Sequence, residues 1–162
     1  MEGKVARFGF RRGTERNDET MGIFLETGPM TARPLFLMDT HALYWHRLGS
    51  PRLSEGATRV FNEALSEKAT LLVHHVAIAE LFWILQKHNQ LDLYGPLLRD
   101  YQTIPYYRIE PMEWADLGNL ATMHEIPEMH DRLQAIAAIR LGATMVTKDP
   151  LIQGCSQVKC LW

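Results

Sequence analysis

The sequence predicts an α/β fold with a central, mostly parallel sheet and helices on both of its faces. Short continuous apolar runs occur along the chain, and such runs are typical of strands buried on both faces of a parallel sheet. Helical segments alternate with these runs, as they do in strand–helix–strand units. A chain of 162 residues has room for one domain of this kind and its core.

The strand prediction rests on apolar runs that are each bounded by polar or turn residues. Buried strands are expected at residues 35–38, 70–73 and 143–147. A further strand is expected at residues 104–109, where tyrosines and an arginine among the apolar residues indicate a less buried position. These four strands would form the sheet.

Helices are expected in the segments between the strands. Ser54 can cap a helix that carries its apolar residues on one face: Ala57, Val60, Phe61, Ala64 and Leu65. Further helices are expected at residues 76–88, 91–101 and 130–141. Pro111 is expected to open another helix, and Gly142 suits the end of the helix at 130–141.

The first 33 residues differ from the rest of the chain. They are rich in glycine and scattered charges, and they show no sustained period of strand or helix. We expect residues 1–33 to form a loose extension, either disordered or read from a start codon assigned too early. The folded domain is expected at residues 34–162.

Composition narrows the class of protein. The net charge of −2 gives no bulk basic signature, so any binding of nucleic acid must depend on local chemistry. No apolar run approaches the ~20 residues that span a bilayer, so no membrane partner is expected. The two cysteines, Cys155 and Cys160, are expected to be free thiols, which indicates a cytoplasmic protein.

Two aspartates follow predicted strands. Asp39 ends the first strand, and Asp149 comes two residues after the strand at 143–147. Ligands of open α/β sheets bind beyond the carboxyl ends of the strands, which indicates a functional site. Taken singly, each aspartate could instead cap a helix or belong to a turn.

Glu80 and Asp131 are predicted to lie on helices. The neighbours of Glu80 one helical turn away are all apolar: Val76, Ala77, Trp83 and Ile84. A carboxylate on such a face needs a metal ion or a paired arginine, because its burial alone is unfavourable. Asp131 stands near the start of the helix at 130–141, where compensation of the helix dipole is the alternative explanation.

Together, the four acids indicate one metal site. Carboxylates that crowd into one pocket raise each other's pKa unless a cation neutralises them. A hard divalent ion with oxygen ligands, Mg²⁺ or Mn²⁺, suits such a pocket, with water and a substrate phosphate completing its coordination. The predicted ligands are Asp39, Glu80, Asp131 and Asp149.

Four short motifs, in order, resemble those of PIN-domain ribonucleases of the VapC toxin type. Residues 35–45 (LFLMDTHALYW) are similar to the opening strand and helix of that family, and residues 51–54 (PRLS) to its next segment. Residues 130–133 (HDRL) and 146–149 (VTKD) are similar to its third and fourth acidic motifs. Each motif is short, and the resemblance rests on the ordered set, which covers residue 34 onward.

The resemblance implies a PIN-like domain and a function. The chain would be a Mg²⁺- or Mn²⁺-dependent endoribonuclease that hydrolyses RNA, and the toxin of a toxin–antitoxin pair. It would be a homodimer held inactive by an antitoxin protein. Asp39, Glu80, Asp131 and Asp149 match the acidic quartet, Thr147 matches a hydroxyl residue that supports the site, and Thr40 is a weaker supporting candidate.

The sequence departs from the family at Gln134 and Ala135, where larger apolar residues are usual. Other assignments also stay open. The chain could be a non-catalytic PIN-like module that binds nucleic acid or protein, or a phosphatase that uses Asp39 as its nucleophile. The phosphatase would need an acid two residues after Asp39, where His41 stands. Trp45, Phe82 and Trp83 could stack on bases, but their apolar surroundings favour packing in the core. Arg132 is expected either to contact RNA phosphate or to pair with an acid.

Overall fold

The computed structural model describes residues 32–162. Except for its last two residues, the extension predicted for residues 1–33 lies outside the described residues. Within residues 32–162 the elements are, in order, β1 (Leu35–Met38), α1 (Thr40–Arg47), α2 (Glu55–Leu65), β2 (Thr70–His74), α3 (His75–Lys87), α4 (Tyr94–Thr103), β3 (Tyr107–Glu110), α5 (Trp114–Gly118), α6 (Met129–Leu141), β4 (Thr144–Val146), α7 (Pro150–Gly154) and β5 (Cys160–Leu161).

The five strands form one parallel sheet in the order β3-β2-β1-β4-β5. The predicted α/β class with a parallel sheet is therefore confirmed. Because β1 lies in the middle, its carboxyl end adjoins those of β2 and β4, and Met38 is paired with Val146. This register fixes which side chains meet at the functional edge of the sheet.

Helices cover both faces of the sheet, as predicted. Successive residues of a strand point to opposite faces, so Leu37 and Met38 enter different core clusters although both are fully buried. Met38 packs with residues of α1, α2, α3 and α4. Leu37 packs with residues of α6 and α7. Burial on both faces explains why these strands are continuous apolar runs.

Three details of the prediction are wrong. Pro111 does not open a helix, because α5 begins at Trp114 after a capping box between Glu113 and Asp116. Leu65 ends α2 with 69% of its surface exposed, so it does not belong to the apolar face. The helix predicted at residues 91–101 is divided into a 3₁₀ turn, Leu91–Leu93, and α4.

Helix α6, which carries Asp131, is attached to α5 by an ion pair whose carboxylate is buried and whose guanidinium is partly exposed. Arg140 Nε lies 2.9 Å from Asp116 Oδ1, and its terminal nitrogen lies 3.1 Å from Oδ2. The Asp116 side chain is fully buried. Burial opposes its ionisation, but the hydrogen bonds from Arg140 and from the Glu113 amide prevail and lower the pKa of Asp116.

We predict that Arg140→Met lowers the free energy of unfolding by about 1–3 kcal/mol near neutral pH, because it leaves the buried Asp116 carboxylate without its ionic partner, while the exposure of Arg140 screens part of the interaction. Since the folded pKa of Asp116 is lowered, the pair stabilises the protein above the unfolded pKa, and this stabilisation is lost as pH falls through the folded pKa. Urea unfolding should therefore show a smaller difference in acid. An equal loss at neutral and acidic pH would contradict the electrostatic explanation.

Candidate metal centre

The four predicted acids line one cavity at the carboxyl edge of the sheet. Asp39 directly follows β1, and Asp149 follows β4. Glu80 comes from α3, and Asp131 comes from the first turn of α6. The cavity has a volume of about 490 Å³ and contains side chains from all four positions. The fold thus brings together residues that are far apart in the sequence.

The hydroxyl of Thr147 links Asp39 to Asp149. Thr147 Oγ1 donates a hydrogen bond of 2.7 Å to Asp39 Oδ2, and it accepts one of 3.0 Å from the Asp149 backbone N–H. Thr147 is fully buried, and Asp39 is 6% exposed. The hydroxyl therefore fixes the orientation of the Asp39 carboxylate with respect to the turn that carries Asp149.

Both aspartates also cap helices. Asp39 Oδ1 accepts from the His41 N–H at the start of α1. Asp149 Oδ1 accepts from two N–H groups at the start of α7, those of Leu151 and Ile152. The capping role considered from the sequence is therefore confirmed, and it coexists with a place in the cavity wall.

Glu80 is held by two neutral donors rather than by an arginine. Its Oε2 accepts a 2.6 Å bond from Thr40 Oγ1 and a 2.9 Å bond from Gln134 Nε2. His130 Nδ1 lies 3.6 Å from its other carboxylate oxygen, Oε1. Gln134, at which the sequence departs from the family, is fully buried and contacts Glu80 directly.

Burial and neighbouring negative charges both act on the Asp131 carboxyl group. Its pKa is raised from 3.8 to about 7. The first cause is burial, followed by the negative charges of four neighbours: Asp39, Glu80, Asp149 and Glu128. Its carboxylate is therefore poised to release a proton when a cation enters the cavity.

The donor set suits a hard cation, but the acids do not form a ready-made cage. Among residues 32–162, no three His, Cys, Asp or Glu side chains are gathered as a metal site. Mg²⁺ commonly keeps several water ligands and uses only one or two carboxylates, so wide spacing of the acids is compatible with it. A cation bound among the acids would offset the burial and the negative charges that raise the pKa of Asp131.

Four ionisable residues of the cavity wall were not predicted from the sequence. They are Glu128, His41, His130 and Lys148. Three of them adjoin or nearly adjoin the predicted acids in the sequence, so this proximity was the available signal. Glu128, the N-cap residue of α6, carried no comparable signal. These side chains add both charge signs to the cavity.

Two predictions about neighbouring residues are corrected. Arg132 does not pair with an acid, and instead donates to the backbone carbonyls of Ile126 and Leu120. Trp83 is 67% exposed and lines the cavity, so it does not pack in the core.

Cys155 and Cys160 are free thiols, as predicted. No helix within residues 32–162 has the length and apolar character needed to cross a membrane.

No family model matches the chain, and the comparison with curated proteins also gives no match. Solved structures do match. VapBC2 from Rickettsia felis, bound to a DNA fragment from its promoter, is 18% identical with a TM-score of 0.60, covering 78% of this chain and 97% of that one.

Two further solved structures share this fold. FitAcB from Neisseria gonorrhoeae is 17% identical with a TM-score of 0.59, covering 78% of this chain and 96% of that one. VapC20 from Mycobacterium tuberculosis, a toxin that cleaves the sarcin-ricin loop, is 12% identical with a TM-score of 0.56, covering 76% of this chain and 98% of that one. At these identities the comparisons show the fold, and the resemblance to VapC-type toxins is confirmed at that level.

We predict that Asp131→Asn raises the melting temperature of the metal-free protein by roughly 2–6 °C at pH 8, about 1 kcal/mol after solvent screening. The folded pKa of Asp131, about 7, lies above its unfolded value. Its ionisation therefore destabilises the fold increasingly as pH rises from about 4, and fully above 7. Melting in EDTA across this range measures the gain. A gain that persists undiminished at pH 4 would contradict charge crowding.

Proposed function

We propose that the chain is a metal-dependent endoribonuclease that hydrolyses RNA phosphodiester bonds, and the toxin of a toxin–antitoxin pair. The observation that carries this proposal is the convergence of Asp39, Glu80, Asp131 and Asp149 on one cavity, in a fold shared with VapBC2, FitAcB and VapC20. Carboxylates placed in this way suit phosphoryl chemistry, in which a divalent cation neutralises charge on the phosphate.

The four acids would hold Mg²⁺ or Mn²⁺. When bound, the ion supplies Lewis-acid activation of water and charge neutralisation at the phosphate. The protein contributes orientation, since Thr147 holds Asp39 and Thr40 holds Glu80. Hydrolysis adds the hydroxyl of water to phosphorus, breaks the bond to the 3′-oxygen and returns a proton to that oxygen. The products are a 5′-phosphate and a 3′-hydroxyl, without a cyclic phosphate.

A non-catalytic binding module is the second candidate. The lack of a ready-made cluster of three ligands among residues 32–162 favours it, because a module would need none. The presence of all four acids in the wall of one cavity favours the nuclease. A phosphatase is a weaker candidate, since His41 stands where its second acid would be required.

We predict that Asp39→Asn or Asp131→Asn lowers the rate of RNA hydrolysis more than about 100-fold, and Thr147→Val about 10- to 100-fold. Residues that support metal ligands typically contribute 10- to 100-fold, and the ligands themselves should contribute more. The measurement is cleavage of labelled RNA in Mn²⁺, with mapping of the new ends. Asp92→Asn, at an exposed acid outside the cavity, is the matched control and should be fully active.

Three outcomes would decide against this assignment. Full activity of Asp39→Asn would show that the site is elsewhere. Binding of Mn²⁺ by the wild-type protein without any cleavage of RNA would favour the non-catalytic module. Turnover of small phosphoesters but not of RNA would favour the phosphatase.

The proposed partner is an antitoxin protein. The fold is shared with VapC20, a toxin by its name, and the resemblance of the sequence to VapC-type toxins implies a co-encoded antitoxin, which supports such a partner here. An antitoxin arginine could enter the acidic cavity and compete with the cation, because guanidinium pairs bidentately with carboxylate. We also propose a homodimer, and a cytoplasmic location that suits the free thiols of Cys155 and Cys160.

We predict that a small protein encoded beside this chain binds it, suppresses RNA hydrolysis and prevents growth arrest on overexpression. Light scattering of the purified complex should give the stoichiometry and show whether the toxin is dimeric. Asp131→Asn should weaken the complex if an arginine occupies the cavity. Overexpression without growth arrest, combined with no binding partner encoded nearby, would instead favour a housekeeping nuclease.

A further inference from the structure

An exposed tryptophan forms part of the cavity wall. Trp83 lies on α3 three residues after Glu80, so the two side chains project from neighbouring positions of one helix. Trp83 is 67% exposed, although burial of its large apolar surface would be favourable. Exposure alone carries no conclusion, because Trp114 is 87% exposed and does not line this cavity. The position of Trp83 beside the acids is what distinguishes it.

Other aromatic rings support the Trp83 indole. The ring of Phe82 lies edge-on to it, with centroids 5.6 Å apart and planes inclined at 81°. Phe82 in turn meets the ring of Tyr94 edge-on at 5.4 Å. Because α3 is also anchored in the core, the indole is carried on a rigid element and loses little conformational freedom when a ligand binds.

A cationic group lies in the same cavity wall. The Lys148 ammonium is 4.5 Å from the centroid of the buried Trp45 ring, a cation–π contact that restricts its long side chain. Lys148 directly precedes Asp149 and faces the same cavity. A phosphate that approaches the acids would therefore find a fixed positive charge beside them.

We propose that Trp83 and Lys148 bind an unpaired stretch of nucleic acid across the cavity. The indole stacks on a base next to the scissile phosphodiester, and the ammonium contacts a backbone phosphate. This inference rests on the proposed function and specifies its substrate as single-stranded RNA. A paired base is already stacked inside its duplex, so it cannot offer its face to the indole.

The test is binding of a fluorescein-labelled oligoadenylate RNA of about eight nucleotides. Fluorescence anisotropy is measured in Mn²⁺ with the Asp39→Asn protein, because this variant should leave the RNA strand uncleaved. Adding Trp83→Ala should weaken binding about 10- to 100-fold, whereas Trp83→Phe should retain most of the affinity. Trp114→Ala, the matched control, should change nothing. Thermal melting of each variant establishes that it is folded.

Two further measurements isolate the contacts. An abasic strand of the same length keeps every phosphate but offers no base, so its binding should not respond to Trp83→Ala. Lys148→Met should weaken the binding of both strands. It should also reduce the slope of log affinity against log salt concentration by about one, which is the effect of one lost phosphate contact. Equal affinity of the Trp83→Ala and parent proteins for oligoadenylate would overturn the inference.

The outcomes also separate this inference from the proposed function. Binding that depends on Trp83, without hydrolysis by the wild-type protein, would sustain the inference and refute the nuclease. Hydrolysis that depends on Asp39 but not on Trp83 would sustain the nuclease and overturn the inference. If Trp83→Ala impaired binding of the proposed antitoxin but not of RNA, Trp83 would belong to a protein interface. The inference would then also be overturned.

Discussion

Repulsion among carboxylates at the carboxyl edge of the sheet is the constraint on which the site depends. Without compensation, negative charges in a partly buried cavity would repel one another and destabilise the fold. The chain compensates Asp39 with the Thr147 hydroxyl, and Glu80 with Thr40 and Gln134. These donors are neutral, so they orient the carboxylates without cancelling their charge. The cavity therefore keeps its attraction for a cation while the fold tolerates the acids.

Capping and function are not alternative roles for the two aspartates that follow strands. In each, one carboxylate oxygen accepts backbone N–H groups at the start of a helix. The positive end of the helix dipole further reduces the free energy of holding a negative charge there. For Asp39 the other oxygen is fixed by Thr147. An aspartate that caps a helix at this position is thus already oriented for a site at the same edge of the sheet.

The sequence was most informative where burial imposed a pattern. Strands β1, β2 and β4 are buried on both faces, so their apolar runs predicted them closely, and the acids that follow β1 and β4 were found with them. The two-residue β5 and the short α7 have too little pattern to detect. At α5 the start depends on a capping box between Glu113 and Asp116, whose acidic cap is unlike the usual serine or threonine. Hydrogen bonding of the capping box therefore places the start of α5 after the position that Pro111 predicted.

Helix α3 shows why the cavity wall could not be predicted in the same way. Its sequence is apolar almost all round, so periodicity does not reveal which face enters the core. The structure assigns Ala77, Leu81 and Leu85 to the core, one turn apart, and leaves Glu80 and Trp83 to the cavity. Gln134 is likewise polar in an apolar helix segment, and only the approach of α6 to α3 gives it a partner. Because one helix supplies both the core and the wall, movement of the Glu80 and Trp83 backbone would require repacking of buried residues. The backbone that carries Glu80 and Trp83 is therefore held in place by the packing of the core.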